Sequence, residues 1–276
     1  MANAKKKTSS RPDFASIGGI ILAVGGILGG LILDGGKVQD VKQVTAAMIV
    51  FGGTIGAVLV TTPLAVVLGA VKKLGSIFMN NAPPVAQTID SIIGYATQAR
   101  KQGIVSLEQE AEKIADPFLR KALNLAVDGM ELSQIRGIMD LEIELMEQRG
   151  EAEAKAFESA GGYSPTIGII GAVLGLIQVM QHLDKIDEVG KGIAVAFVAT
   201  LYGVGTANLI LLPCAGKLRI RIRNEQIIRE MTLEGVVSIL EGMNPRMLEA
   251  KLLGFLTEAH GPAAVAGESN AEESNL

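Results

Sequence analysis

Four stretches of this chain contain no Asp, Glu, Lys or Arg: 14–33, 43–71, 159–183 and 192–216. They run to 20, 29, 25 and 25 residues. A helix needs about 20 apolar residues to cross the hydrocarbon core. In lipid, the backbone must satisfy its own hydrogen bonds, which a helix does. The windows therefore predict an all-α integral membrane protein with four transmembrane helices and a helical domain between the second and third. The chain divides into 1–13 before the first span, 14–71 with two spans, 72–158 as the inserted domain, 159–216 with two more spans, and 217–276 as a tail.

The first run follows Lys5, Lys6, Lys7 and Arg11, as a signal peptide would. It is longer than a typical signal core, and Leu31-Ile32-Leu33-Asp34 offers no small-x-small cleavage site, so an uncleaved span is expected. Charge sets the orientation. The two short connections, 34–42 and 184–191, carry Lys37, Lys42, Lys185 and Lys191, and the opposite side carries the other 21 of 25 basic residues. By the positive-inside rule, both termini and the insert face the cytoplasm.

Small residues four apart allow close helix approach in lipid. Gly25/Gly29 and Gly26/Gly30 in the first span and Gly52/Gly56 in the second have this spacing, so these faces are expected to pack, and Pro63 is expected to kink the second span. The insert reads as helices broken at Gly103, Asp116-Pro117, Asp128-Gly129 and Gly150. Between 100 and 158 it holds 8 basic and 13 acidic residues, the pattern of a solvated module. An amphipathic basic helix is expected over 217–241, and an Ala/Gly/Glu/Ser/Asn-rich, disordered stretch from Gly261.

The chemistry of enzymes is missing from this pattern. His182 and His260 lack metal-ligand spacing, and no glycine-rich loop is followed by Lys-Ser or Lys-Thr. The single cysteine, Cys214, allows no internal disulfide. No basic stripe interleaved with aromatics points to nucleic acid. No cofactor, metal or enzymatic activity is expected.

The four windows also hold no ionisable carboxylate, the group that usually binds and releases an ion inside a membrane. They do hold uncharged polar groups: Tyr163, Ser164, Thr166 and Gln178 in the third, and Thr200, Tyr202, Thr206 and Asn208 in the fourth. These suit a wet path but carry no proton across alone, so a partner chain is expected to bring the carboxylate. Pro165 and Pro213 stand at the cytoplasmic ends of these spans. Each is either a pivot or an ordinary boundary, a helix start at Pro165 and a stop at Pro213.

Four stretches resemble the MotA/PomA family of flagellar stator subunits: Ser164-Pro165-Thr166-Ile167-Gly168 through Leu176; Val195-Ala196-Phe197-Val198-Ala199-Thr200-Leu201-Tyr202-Gly203 through Leu218; Ala99-Arg100-Lys101-Gln102-Gly103 with Ser106-Leu107-Glu108; and Asp116-Pro117-Phe118-Leu119 through Gly129. The resemblance covers about residues 14 to 255. It implies a bacterial inner-membrane protein that forms a homopentamer around a MotB-like partner, a single-span subunit that binds peptidoglycan. It implies an ion path along spans three and four, with Ala172, Ala199, Thr200, Tyr202 and Asn208 as its residues and Pro165 and Pro213 as coupling residues. It also implies that Arg100, Lys101 and Glu108 meet a FliG-like rotor protein. An ExbB/TolQ-like subunit is the nearest alternative, and a passive membrane scaffold the next. Sodium-driven relatives carry threonines where this chain has Ala172 and Ala199, so the resemblance points to protons.

Overall fold

The computed structural model describes residues 11–77, 79–80 and 85–260. Over these residues the regular structure is helical, apart from a two-residue antiparallel bridge that pairs Arg11 with Asn80 and Pro12 with Met79. It forms two compact units. One combines residues up to Asn81 with Arg149–Arg219, and the other combines Ala82–Gln148 with the residues from Ile220.

The first unit holds the spans. α1 (Phe14–Leu33) is capped by Asp13, which accepts from the Ser16 amide at 3.3 Å and the Ser16 hydroxyl at 3.0 Å. The second span runs through α2 (Val44–Ala47), a π-helical turn (Met48–Gly52) and α3 (Gly53–Thr61). Pro63 ends it, and α4 (Leu64–Ile77) starts immediately afterwards. The four helices long and apolar enough to cross a membrane agree with the four charge-free windows.

The second unit begins with α5 (Val85–Gln102), a 3-10 turn (Ile104–Leu107) and the short α6 (Glu108–Ala111). α7 (Pro117–Val127) comes next, with Asp116 as its cap accepting from the Phe118 amide at 2.9 Å and proline in the first turn. Its core gathers Ile92, Leu107, Leu123, Ile135, Met139 and Met231, with Leu248 and Leu252 of α11 (Pro245–His260). Gly103 at φ +83° and Gly129 at φ +73° adopt positive-φ conformations that favour glycine where α5 and α7 end, so the expected breaks fall there.

The break expected at Gly150 is absent. α8 (Leu132–Gln181) is one helix of 50 residues, about 75 Å at 1.5 Å per residue. It carries the end of the insert and the whole third span. The fourth span is equally continuous with the segment beyond it: α9 (Ile186–Thr206), a π turn (Ala207–Leu211) and α10 (Leu212–Leu240) form a single helical run. Pro165 therefore does not start a helix, and Pro213 does not stop one. Both lie inside continuous helices and break the hydrogen-bond ladder without breaking the rod. The expected disordered stretch from Gly261 lies outside the described residues.

Candidate ion path and charged rim

Spans three and four meet along a seam of small residues. A Cβ at Gly168 would lie 2.9 Å from the Ala199 carbonyl oxygen, and one at Gly175 would lie 2.7 Å from that of Gly192. At Gly203 it would lie 2.6 Å from the Ser164 carbonyl oxygen and 3.0 Å from the Gly168 Cα. The backbones of α8 and α9 thus touch directly, which only glycine permits. Ser164 is fully buried in the seam and donates to the Gly203 carbonyl at 3.0 Å.

The glycines singled out from sequence lie elsewhere. Around Gly25, Gly26, Gly29, Gly30, Gly52 and Gly56 nothing of this chain comes within 4 Å of an added Cβ, so those faces are open within one subunit. Gly53 instead packs on Ile167, and Ile49 reaches Gly171. The second span lays a stripe of buried residues four apart, Ala46, Val50, Thr54 and Val58.

The expected path residues differ in their settings. Ala199 is fully buried in a cluster with Ala46, Val50 and Val198, and its methyl faces Gly171, where an added Cβ would come within 2.7 Å. Ala172, next to Gly171, is half-buried. Thr200 is half-buried and donates to the Ala196 carbonyl at 3.1 Å. Tyr202 stacks on Phe51 at 5.9 Å, donates to the Val41 carbonyl at 2.6 Å and accepts from the Gln43 amide at 3.3 Å. It therefore fastens the chain entering the second span to the fourth, and its hydroxyl is already in use. Asn208 is exposed within the π turn and donates to the Val204 carbonyl at 2.9 Å.

The prolines bracket this region. Pro165 comes directly after Ser164 in the seam, and its missing N–H leaves the Gly161 carbonyl without its helical donor. Pro213 stands just past the π turn, the kind of local widening that recurs at functional sites.

The charged rim lies in the other unit. Arg100 and Lys101 occupy the last turn of α5, Glu108 opens α6, and all three are exposed. Gly103 reverses the chain between them, and the turn is fixed by Leu107, which is fully buried, and by Gln98 Nε2 donating to the Ser106 carbonyl at 2.9 Å. Among the described residues none of the three charges has an ion-pair partner, so the turn presents them to solvent.

Ion pairs that sequence reasoning missed join helix ends within the four-span unit. Lys217 meets Asp13 at 2.6 Å, and Lys73 meets Glu153 at 2.6 Å. The hydrogen bond from Lys217, aided by Ser16, holds the Asp13 carboxyl down at about 2 against the opposing effect of burial. The available signal was adjacency: Lys72, Lys73, Lys217 and Arg219 come just after spans, and Glu151, Glu153 and Glu158 precede one.

Residues 17–102 match the model of the motility protein A N-terminal region, and residues 110–231 match that of the MotA/TolQ/ExbB proton channel family. Motility protein A of Bacillus subtilis is 39% identical over 249 residues, covering 88% of this chain and 91% of the relative. The chain belongs to the motility protein A branch of the MotA/TolQ/ExbB proton channel family. Two solved structures agree with this placement. The Campylobacter jejuni MotAB structure matches at TM-score 0.83 and 32% identity over 88% of this chain and 95% of that one. The flagellar MotAB stator complex of B. subtilis matches at 0.80 and 38% over 87% and 95%. The MotA-type N-terminal match covers the first two spans and the Arg100–Lys101 turn, and it separates this chain from the ExbB/TolQ alternative.

Proposed function

We propose that this multi-pass inner-membrane stator subunit conducts protons together with a MotB-like single-span partner and converts their passage into torque on a FliG-like rotor protein. The observation that carries the reading is the pair of helices α8 and α9–α10. They pack backbone to backbone, contain no Asp, Glu, Lys or Arg in the apolar windows, and each contains a proline without ending there. Such a pair makes a smooth wall with built-in weak points but no site to hold a proton, so the titrating carboxylate belongs to the partner. The open glycine faces of α1 and the second span suit contacts with further copies, in a ring of five by family resemblance. The excess of lysine and arginine on one side supports an orientation with both termini and the charged rim in the cytoplasm.

The test is complementation with the partner subunit. Cells lacking their own stator should swim when both chains are expressed and fail with either alone. The chain alone should leak few protons, and a large leak without the partner would refute the division of labour. Cysteine labelling at the 34–42 and 184–191 connections should reach only from outside the cell; labelling from the cytoplasm would reverse the orientation.

A further inference from the structure

Arg219 stands on α10 a short way past Pro213 and reaches across to α8. Its Nε donates to both oxygens of Glu151, at 2.9 and 3.2 Å, and its Nη2 donates to Glu158 Oε2 at 2.6 Å. Glu151 and Glu158 are two turns apart on one face of α8, just before Pro165. One planar guanidinium thus grips two points, two turns apart, on the third-span helix from the fourth-span helix, a geometry that fixes register as well as distance. Lys73–Glu153 and Lys217–Asp13 extend the set, so that α1, α4, α8 and α10 are chained together at one end of the unit. Glu153 is buried there, and Gly69 leaves room for its carboxylate: a Cβ at Gly69 would lie 2.6 Å from Oε1.

Arg219 and its two partners are far from buried, with side chains 38% and 50% exposed. Exposed pairs contribute little to folding. What the fork does supply is a fixed relation between two helices immediately beside the two prolines. We infer that Arg219 is a positioning residue for coupling: by holding Glu151 and Glu158 it makes α8 and α10 move together when they bend at Pro165 and Pro213. The inference rests on the stator reading and adds a part that the reading does not contain. Without the fork, each helix yields at its own proline, and ion passage proceeds while the movement it drives is lost.

The experiment uses the full chain co-expressed with its partner and compares Arg219→Gln, Glu158→Gln and the double variant. Three quantities are read: recovery of the assembled complex, proton flux, and stall torque. The expected result is normal assembly, flux within about twofold of wild type, and torque lowered about fivefold or more, as remote mispositioning lowers a coupled step. The double variant should be no worse than Arg219→Gln, because both changes remove one interaction. Wild-type torque in Arg219→Gln, equal loss of flux and torque in assembled complexes, additive losses in the double variant, or failure of both single variants to assemble would each overturn the inference. A wild-type chain that gives neither flux nor rotation with its partner would instead refute the stator reading itself.

Discussion

The seam between spans three and four turns on single atoms. In Gly203→Ala the new methyl meets backbone on both sides, the Ser164 carbonyl and the Gly168 Cα, so the helices must separate. The expected cost is about 1–3 kcal/mol, read as easier unfolding in a mixed-detergent titration. When the assay is run on the separated single chain, Gly26→Ala, with open space around it, should not destabilise. Equal effects would mean that the seam is not the tight contact. Asp13 offers a second single-residue test. Its carboxyl lies at about 2 against an ordinary 3.8 because Lys217 hydrogen-bonds the charged form. A folded value below the unfolded one stabilises the fold above the ordinary value, and that contribution is lost as pH falls towards 2. A carboxyl-carbon NMR titration of Asp13 should show the depressed midpoint, and Lys217→Met should return it towards 3.8.

At the scale of elements, what could be read from sequence was local. Gly103, Asp116-Pro117 and Gly129 end or start helices because each acts within its own turn, through a positive-φ conformation or a cap. Charge-free windows located the spans because lipid excludes charge over a fixed length. The same windows said nothing about where helices end: α8 and α10 cross the charge boundary unbroken, since a helix satisfies its backbone in water as well as in lipid. Gly150 was misleading for that reason. A glycine costs a helix about 1 kcal/mol, and this one is buried within α8, where packing outweighs propensity. The close contact of α8 with α9 and the fork at Arg219 depend on which faces meet, which no single segment encodes. Pro165 tests the element directly. Pro165→Leu restores a donor to the Gly161 carbonyl and removes a penalty of about 3 kcal/mol. The variant should resist unfolding better than wild type and assemble normally, while ion flow and torque come apart. Loss of the protein from the membrane would assign Pro165 to folding alone.

For the whole molecule, the question is what enters and what is driven. At the charged rim, Arg100, Lys101 and Glu108 are exposed without ion-pair partners among the described residues, an arrangement suited to steering and register against a complementary rotor surface. Arg100→Glu should impair swimming, and a matching reversal on the rotor should partly restore it; normal swimming in both Arg100→Glu and Glu108→Lys would place the contact elsewhere. At the other end of the coupling is the ion, which we propose is the proton. Sodium has to exchange its water shell for several oxygens in fixed places. At two positions where a side-chain oxygen would serve, this chain has Ala172 and Ala199, and the Ala199 methyl is fully buried against the Gly171 backbone. Thr200 supplies one hydroxyl oxygen, its proton donated to the Ala196 carbonyl, and Tyr202 is held by Val41 and Gln43. One threonine oxygen and a carboxylate from the partner make a poor sodium shell, whereas a proton needs only that carboxylate and a file of water. Ala199→Thr alone should therefore not create sodium dependence; in so tight a seam it should weaken packing by about 1–3 kcal/mol. Swimming should persist when sodium is replaced by potassium and stop when a protonophore is added. Swimming that stops without sodium and survives the protonophore would reverse the assignment.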